Sequence, residues 1–492
     1  MNIKNVFSGS IINLICQVIP AVAAILMVPV TIKWFGSELF SVFSLAVSVI
    51  VLFNYLNFGV AQSTNRELAK TYSDSEGDIS NSIISSGLVA IIFIGVGISI
   101  FGVFFYESIA SSLVDNNEAN LDQVENMLFY VFLSSPLFLL VILFRSILEA
   151  RLLFKYTSMN RAILNAFIFC SPLLCYIFGV GLDYSIFYII AAHVLSLVFL
   201  LSLIFKYFEN LEFIFDKDVF FKLFTSGGWL TVISLSSVGL LYADKFIIGS
   251  ALGLSALAYY VASYDLISRS SIIYGSITSA FFPAFSFWYN SGEYKLLNTS
   301  LKYLFDIMYL LMGVSLGLVS LFSSEILFYW IDYDFSLGSS YILQVLCFGI
   351  FFSSLSIINM RLLAAIGYEK KIAIFYLIQS TIYVLTSYLL VESVGALGIA
   401  WLFSGRCLFE CVILHYFVKS TGLNSEPIFM KNICFRVGGF GVLLLCFFFN
   451  YDLFYKIIFA ITVIMMILIW FAKNLAVLKS TLKKDYGREG AI

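Results

Sequence analysis

The sequence has little charge and no long polar segment. Only 12% of its 492 residues are Asp, Glu, Lys or Arg, whereas 61% are hydrophobic. In a soluble domain, about a quarter of the residues are typically charged. The most polar stretches, near 62–80 and 107–125, are no longer than loops. These shortages exclude a large soluble domain.

The motifs of common enzymes and metal sites are missing as well. The chain contains no Walker-type phosphate loop and no HExxH motif, and Asp332-Tyr-Asp334 falls in a short predicted outer turn. The eight cysteines lie almost wholly in apolar runs, without enough His or carboxylate neighbours for a metal site. We therefore expect no enzyme, no metal and no cofactor.

Apolar runs of roughly twenty residues make up most of the chain, and a helix of that length spans a hydrocarbon core about 30 Å thick. We predict an all-α polytopic membrane protein with about 14 transmembrane helices. The predicted spans lie near 10–31, 39–60, 81–105, 127–147, 160–180, 184–205, 226–249, 256–280, 303–323, 341–361, 372–391, 396–417, 433–449 and 456–472.

The orientation follows from Lys and Arg, which concentrate in cytoplasmic loops. With the N-terminus inside and the spans alternating, all but five of the 28 Lys and Arg residues fall on the inside. Lys33 and Lys456 fall outside, and Lys245, Arg269 and Arg406 lie within spans. The alternation predicts that both termini are cytoplasmic. The basic C-terminal run indicates an anchor near anionic lipid, so we expect no nucleic-acid partner.

Two short patterns recur at a spacing of about 215 residues. Gly36–Phe43 precedes the second span and Gly253–Tyr260 the eighth, each with an apolar residue four positions after the glycine and an aromatic residue seven positions after it. Leu148-x-Ala150 ends the fourth span and Leu363-x-Ala365 the tenth.

The repeat predicts two pseudo-symmetric six-helix lobes that point the same way in the membrane. The predicted segments are an N-terminal lobe at 1–206, a cytoplasmic interfacial linker helix at 207–225, a C-terminal lobe at 226–418, and two last helices with a basic cytoplasmic tail at 419–492.

Several stretches resemble a known family. Tyr242–Gly249, Ala258–Tyr260 and Phe281–Pro283 resemble the seventh and eighth helices of polysaccharide-export proteins, and the loop Arg145–Arg161 is similar to the loop after their fourth helix. These proteins belong to the multidrug/oligosaccharidyl-lipid/polysaccharide (MOP) exporter superfamily, which includes the MATE transporters.

The resemblance implies a Wzx-type flippase in the bacterial inner membrane. Such a protein moves an undecaprenyl-diphosphate-linked O-antigen, capsule or exopolysaccharide repeat unit to the outer face. Its implied partners are this lipid-linked glycan, membrane lipid, a polysaccharide polymerase and a chain-length regulator. The lipid tail would stay in the bilayer beside the first span, which Pro20 and Pro29 would bend.

Charged residues within spans are candidate functional residues, because each costs about 2.5–3.5 kcal/mol to insert. Asp265 and Arg269 lie four apart in the eighth span, as do Arg406 and Glu410 in the twelfth. We expect Arg269 and Arg406 to bind the diphosphate, and Asp265 and Glu410 to neutralise them in the empty cavity. Structural ion pairs that hold helices together are the alternative.

Five further residues complete the set of candidates. Asp244 and Lys245 lie toward the outer end of the seventh span, where they would balance charge or couple an ion; near the interface, a purely structural pair is favoured over that role. His193, Asp306 and Arg145 are secondary candidates, and for His193 a hydrogen-bonded core role is favoured over a ligand role. The drive stays open between the membrane potential and coupling to H⁺ or Na⁺.

Two rival functions remain at this stage. A MATE-like antiporter of small molecules would exchange a cation for H⁺ or Na⁺ and would need an acidic cavity. A membrane polymerase or glycosyltransferase would need a sizeable extramembrane loop, and the largest outer loop, near 106–126, has no His, Lys or Arg. The intramembrane arginines favour the flippase over both.

Overall fold

The computed structural model describes residues 3–70, 77–113, 121–208, 211–226, 228–423 and residue 456, and the described chain is helical. Its helices are α1 Ile3–Phe35, α2 Ser37–Phe53, α3 Val60–Lys70, α4 Gly77–Leu113, α5 Leu121–Leu133, α6 Ser135–Ala150, α7 Phe154–Phe178, α8 Ser185–Tyr207, α9 Lys217–Ser226, α10 Gly228–Ser268, α11 Ser271–Asn290, α12 Tyr294–Leu321, α13 Ser323–Trp330, α14 Tyr333–Ala365 and α15 Glu369–Ser420.

The helices have the length and composition of membrane spans. Among the described residues, 8 helices are long and apolar enough to cross a bilayer, or 9 if α5 and α6, which meet at 45°, form one span. The chain is therefore a multi-pass helical membrane protein, as predicted. The predicted last two spans lie outside the described residues except for Lys456, whose ammonium pairs with Glu325 at 2.8 Å. Both residues fall in predicted outer turns.

Two of the long helices are broken at a glycine. Helix α15 has 52 residues, far more than one crossing needs at about 1.5 Å per residue. Its backbone leaves the helical region at Gly395, and that of α10 does so at Gly253. These breaks coincide with the turns predicted between the seventh and eighth spans and between the eleventh and twelfth.

The recurring sequence patterns adopt matching backbone conformations. Gly36 has φ 88° and ψ 163°, and Gly253 has φ 83° and ψ 174°. Helices α6 and α14 end at the matched residues Ala150 and Ala365. The local geometry of the repeat is thus the same at both pairs of sites.

The turns that follow α6 and α14 also match in hydrogen bonding. The Leu153 amide donates to the Leu148 carbonyl at 3.1 Å, and the Tyr368 amide donates to the Leu363 carbonyl at 2.9 Å. A residue with positive φ precedes each donor, Leu152 in the first turn and Gly367 in the second. This arrangement is the Schellman ending of a helix, in which glycine is preferred.

The linker between the halves is less helical than predicted. The sequence predicts a helix over 207–225, but α9 begins only at Lys217. The Asp216 carboxylate accepts hydrogen bonds from the Asp218 amide at 2.8 Å and the Val219 amide at 3.3 Å, which caps the helix there. Lys222 in α9 pairs with Glu67 of α3 at 3.0 Å and ties the linker to the first half.

The proline in the outer part of α1 frees a carbonyl that the second half binds. Pro29 has no N–H, so the Ile25 carbonyl lacks its helical donor. The Trp330 indole N–H donates to this carbonyl at 2.7 Å. The contact joins α1 to α13 across the chain.

Contacts between α2 and α10 close the end of the molecule that is predicted to face outside. The Ser41 hydroxyl donates to the Leu254 carbonyl at 2.7 Å, and the Ser255 hydroxyl donates to the Glu38 carboxylate at 3.2 Å. All four residues follow Gly36 or Gly253, so the two matching turns pack against each other. We call these contacts the outer closure.

Candidate functional site

A cavity of about 680 Å³ lies between the first half of the chain, α1–α8, and the second half, α10–α15. Helices α1, α2, α3, α6, α7 and α8 line it on one side, and α10 and α11 on the other. Glu149 and Arg161 line its end near the predicted cytoplasmic side, where their side chains are 23% and 48% exposed. The outer closure lies at the opposite end, so the cavity is open toward the predicted cytoplasm.

The lining is cationic. Its charged side chains are Arg145, Glu149, Arg161, Lys245, Asp265 and Arg269. Arg161 pairs with Glu149 at 2.8 Å, and Lys245 pairs with Asp265 at 3.5 Å. Across the described part of the chain, no carboxylate lies within ion-pair distance of Arg145 or Arg269. Two guanidinium groups therefore remain available to an anion.

Arg269 lies in the cavity but does not pair with Asp265. Helix α10 ends at Ser268 and α11 begins at Ser271, so Arg269 belongs to the turn between them and the expected i, i+4 geometry is absent. Its guanidinium lies 4.7 Å from the ring centroid of Phe169 in α7. Its Nε is buried without a hydrogen-bond partner in the described structure. The side chain thus bridges the two halves without being neutralised.

Arg145 and His193 line the first-half wall of the cavity. The Arg145 Nε donates to the Val141 carbonyl at 3.4 Å, which is longer than an ordinary N–H···O bond. The buried His193 ring packs edge-on against Phe138 at 4.5 Å and donates from Nδ1 to the Ile189 carbonyl at 2.8 Å. His193 is therefore a hydrogen-bonded residue that also faces the cavity.

Asp244 and Lys245 are adjacent in sequence but turn to different environments. Lys245 faces the cavity, and its ammonium also donates to the Ser44 hydroxyl of α2 at 3.3 Å. Asp244 is buried in the second half, where it accepts hydrogen bonds from Tyr260 and Tyr383, both at 2.6 Å. Successive helical residues diverge in this way because each turns about 100° from the last.

Arg406 and Glu410 form the ion pair that their spacing predicts, at 3.3 Å. Glu410 also accepts hydrogen bonds from Ser356 and Tyr376, both at 3.0 Å. The Arg406 guanidinium lies over the ring of Tyr383. Neither charged residue lines the cavity, so the structure does not bring Arg406 and Arg269 together there.

Asp306 is also outside the cavity. It lies in α12, is partly exposed, and is absent from the cavity lining.

The cavity itself contains residues that the sequence reasoning missed. Ser158, Arg161, Asn165 and Phe169 line it from one face of α7. The polar residues among them recur at helical spacing along the first half of α7, and that stripe was a usable signal.

Comparison with known proteins places the chain in a family. The model of the family described as polysaccharide biosynthesis protein matches residues 6–288. The chain belongs to this family. A putative O-antigen transporter from Shigella flexneri is 27% identical over 418 residues, which cover 84% of this chain and 97% of that protein. The resemblance stated from the sequence is confirmed.

Solved structures share the fold. An inward-facing MATE family transporter of the MOP superfamily has a TM-score of 0.73 at 13% identity, over 85% of this chain and 99% of its own. The lipid II flippase MurJ in an inward closed conformation has a TM-score of 0.73 at 17% identity, over 96% of this chain and 100% of its own. The chain therefore has the fold of the MOP superfamily.

Proposed function

We propose that this protein is a flippase that carries undecaprenyl-diphosphate-linked oligosaccharide repeat units from the cytoplasmic to the outer face of the bacterial inner membrane by alternating access. The observation that carries the proposal is the pair of arginines, Arg145 and Arg269, that line the cavity without carboxylate partners. The membership in a polysaccharide biosynthesis family supports the class of substrate.

The chemistry of the cavity suits a diphosphate headgroup. A guanidinium binds phosphate oxygens through two parallel N–H donors, and such bonds are strongest where water is excluded. Arg145 lines the cavity from the first half and Arg269 from the second half, so an anion that binds both would contact both halves. Phe169 already holds Arg269 toward the first half.

The size of the cavity fits a headgroup with its first sugars. Ligand pockets usually have volumes of about 300–1,000 Å³, and this one has about 680 Å³. The lipid tail is far longer than such a cavity, so it stays in the bilayer. Helix α1 lines the cavity at Cys16 and Pro20, and a gap beside it would let the tail pass.

The direction of transport is favourable without ATP. Moving an anion outward gains about 2.3 kcal/mol per charge at a membrane potential of 100 mV, negative inside. Coupling to H⁺ or Na⁺ is the alternative drive, and Asp244 is its best candidate because its carboxylate is buried between two tyrosine hydroxyls. A polymerase and a chain-length regulator are proposed partners.

The rival function, a MATE-like antiporter of small cations, fits the cavity less well. The lining carries four cationic side chains and two carboxylates, both of which are paired. A cationic drug would therefore be repelled in the empty cavity. Relatives with a stated activity are named as transporters or flippases rather than enzymes, which supports transport over catalysis.

The test is substitution of the cavity arginines in cells whose own gene is deleted. Arg145→Ala and Arg269→Ala should each lower surface glycan about tenfold or more and raise cytoplasmic lipid-linked oligosaccharide, with Lys at either site restoring part of the loss. Arg151→Ala is the matched control, because Arg151 follows α6 but packs over Phe208 outside the cavity.

Full surface glycan in both cavity variants would refute the diphosphate role. Altered drug tolerance with unchanged glycan would support the antiporter instead. Arg406→Ala distinguishes a structural arginine from the cavity arginines. Loss of its ion pair with Glu410 should lower the amount of folded protein, whereas the cavity variants should lower transport.

A further inference from the structure

Lys245 is held at the outer end of the cavity by two partners of different kinds. Its ammonium lies 3.5 Å from an Asp265 carboxylate oxygen within α10 and 3.3 Å from the Ser44 hydroxyl of α2. The Lys245 and Asp265 side chains are only 8% and 16% exposed. Lys245 thus connects the two halves of the chain from inside the cavity.

The ion pair is loose for its surroundings. Strong hydrogen bonds between ammonium and carboxylate are about 2.7–2.9 Å long, clearly shorter than the observed 3.5 Å. A buried ammonium without any counter-charge is nevertheless costly, so Asp265 stabilises the empty cavity. A diphosphate between Arg145 and Arg269 would bring more negative charge to the same cavity than one carboxylate supplies.

We propose that Asp265 is an internal stand-in for the anionic headgroup, because its carboxylate pairs with Lys245 while the cavity is empty. When the anion binds, the Lys245 ammonium leaves both Asp265 and Ser44 and pairs with the anion instead. The inference rests on the proposed function and adds a role to it. Asp265 is a positioning residue that acts through Lys245. Its removal should therefore improve anion binding, which is the opposite of what loss of a direct ligand does.

The exchange links occupancy of the cavity to the outer closure. Ser44 lies three residues after Ser41 on α2, so it belongs to the next turn of the same helix face. Ser41 binds the Leu254 carbonyl in the outer closure, and Lys245 binds Ser44 one turn below it. When the anion removes Lys245 from Ser44, one of the bonds that join α2 to α10 is lost. The closure then weakens when the cavity is loaded.

The first test measures binding of farnesyl diphosphate to the purified full-length protein in nanodiscs. Asp265→Asn should lower the dissociation constant about tenfold, equivalent to ~1.4 kcal/mol. Glu149→Gln is the matched control, since it raises the cavity charge by the same amount but frees only Arg161, which is 48% exposed. Its affinity gain should be about twofold or less, because water screens that charge. Asp265→Asn combined with Lys245→Gln should lose the gain.

The second test measures the outer closure directly. Cysteines introduced by Glu38→Cys and Ser255→Cys lie where a 3.2 Å hydrogen bond joins the halves, so they should cross-link readily in the empty protein. Farnesyl diphosphate should lower the cross-linking yield, and adding Lys245→Gln should abolish that response. The parent chain, with its own cysteines alone, gives the background.

The outcomes distinguish failure of the proposed function from failure of the stand-in role of Asp265 alone. If the wild-type protein does not bind farnesyl diphosphate, both the proposed function and the stand-in role are wrong. If the wild type binds it but Asp265→Asn binds equally or more weakly, only the stand-in role is wrong. Equal gains in Asp265→Asn and Glu149→Gln would likewise overturn it, because they would reflect the net charge alone.

Discussion

Replacing Gly253 by alanine should destabilise the protein through the backbone alone. Gly253 has φ 83° and ψ 174°, a region that is essentially restricted to glycine. A Cβ placed there meets no atom within 4 Å, so no steric clash contributes. The expected loss is therefore the conformational cost itself, ~1–3 kcal/mol. The same reasoning applies to Gly36 at φ 88° and ψ 163° and to Gly395 at φ 66° and ψ −174°.

The matched control is Gly275→Ala in α11. A Cβ at Gly275 also meets nothing within 4 Å, but its backbone lies within a helix. Alanine should stabilise a helix interior by ~0.5–1 kcal/mol relative to glycine. Thermal unfolding of the purified protein in one detergent, followed by tryptophan fluorescence, should thus give a lower Tm for Gly253→Ala and an equal or higher Tm for Gly275→Ala. A Gly253→Ala variant as stable as the parent would refute the assigned turn.

Two other predictions use the same unfolding assay. Gly367→Leu should destabilise the folded protein by ~1–2 kcal/mol, whereas Leu152→Gly at the matching turn should be neutral or stabilising, because Leu152 has a positive φ and is 54% exposed. Equal losses of stability in the two variants would contradict the matched turns. Trp330→Phe should lower the stability of the folded protein by ~1–3 kcal/mol, because it leaves the Ile25 carbonyl without a donor. The loss should be smaller in the Pro29→Ala background, where a helical N–H is restored, and an unchanged loss there would contradict the role of the proline.

Much of the fold was predictable because it depends on local sequence. Apolar runs fix which segments cross the bilayer, and glycine marks the turns at 253 and 395 because their φ and ψ values are essentially restricted to glycine. The breaks at Gly253 and Gly395 and the helix ends at Ala150 and Ala365 fall where the sequence placed them. The linker helix was predicted too long, because the cap at Asp216 depends on a side-chain conformation that hydrophobic periodicity does not report.

The candidate site was predictable only in part. The Arg406–Glu410 pair formed as expected because the two residues lie four apart in the part of α15 after Gly395, which is continuous helix. The Asp265–Arg269 pair did not form, because the helix ends between them and Asp265 meets Lys245 instead. The contact of Phe169 with Arg269 was not predictable, because an aromatic residue in an apolar run is not distinguished by its sequence position.

The sequence by itself determined that the chain crosses a membrane many times, where it turns, and which ionisable residues lie within the spans. Spacing along one helix decides which side chains share a face, and that information is local. Only the tertiary structure decided which helices face one another. It therefore decided that Arg145 and Arg269 share a cavity, that Arg406 does not line it, and that Lys245 reaches Ser44 across the two halves.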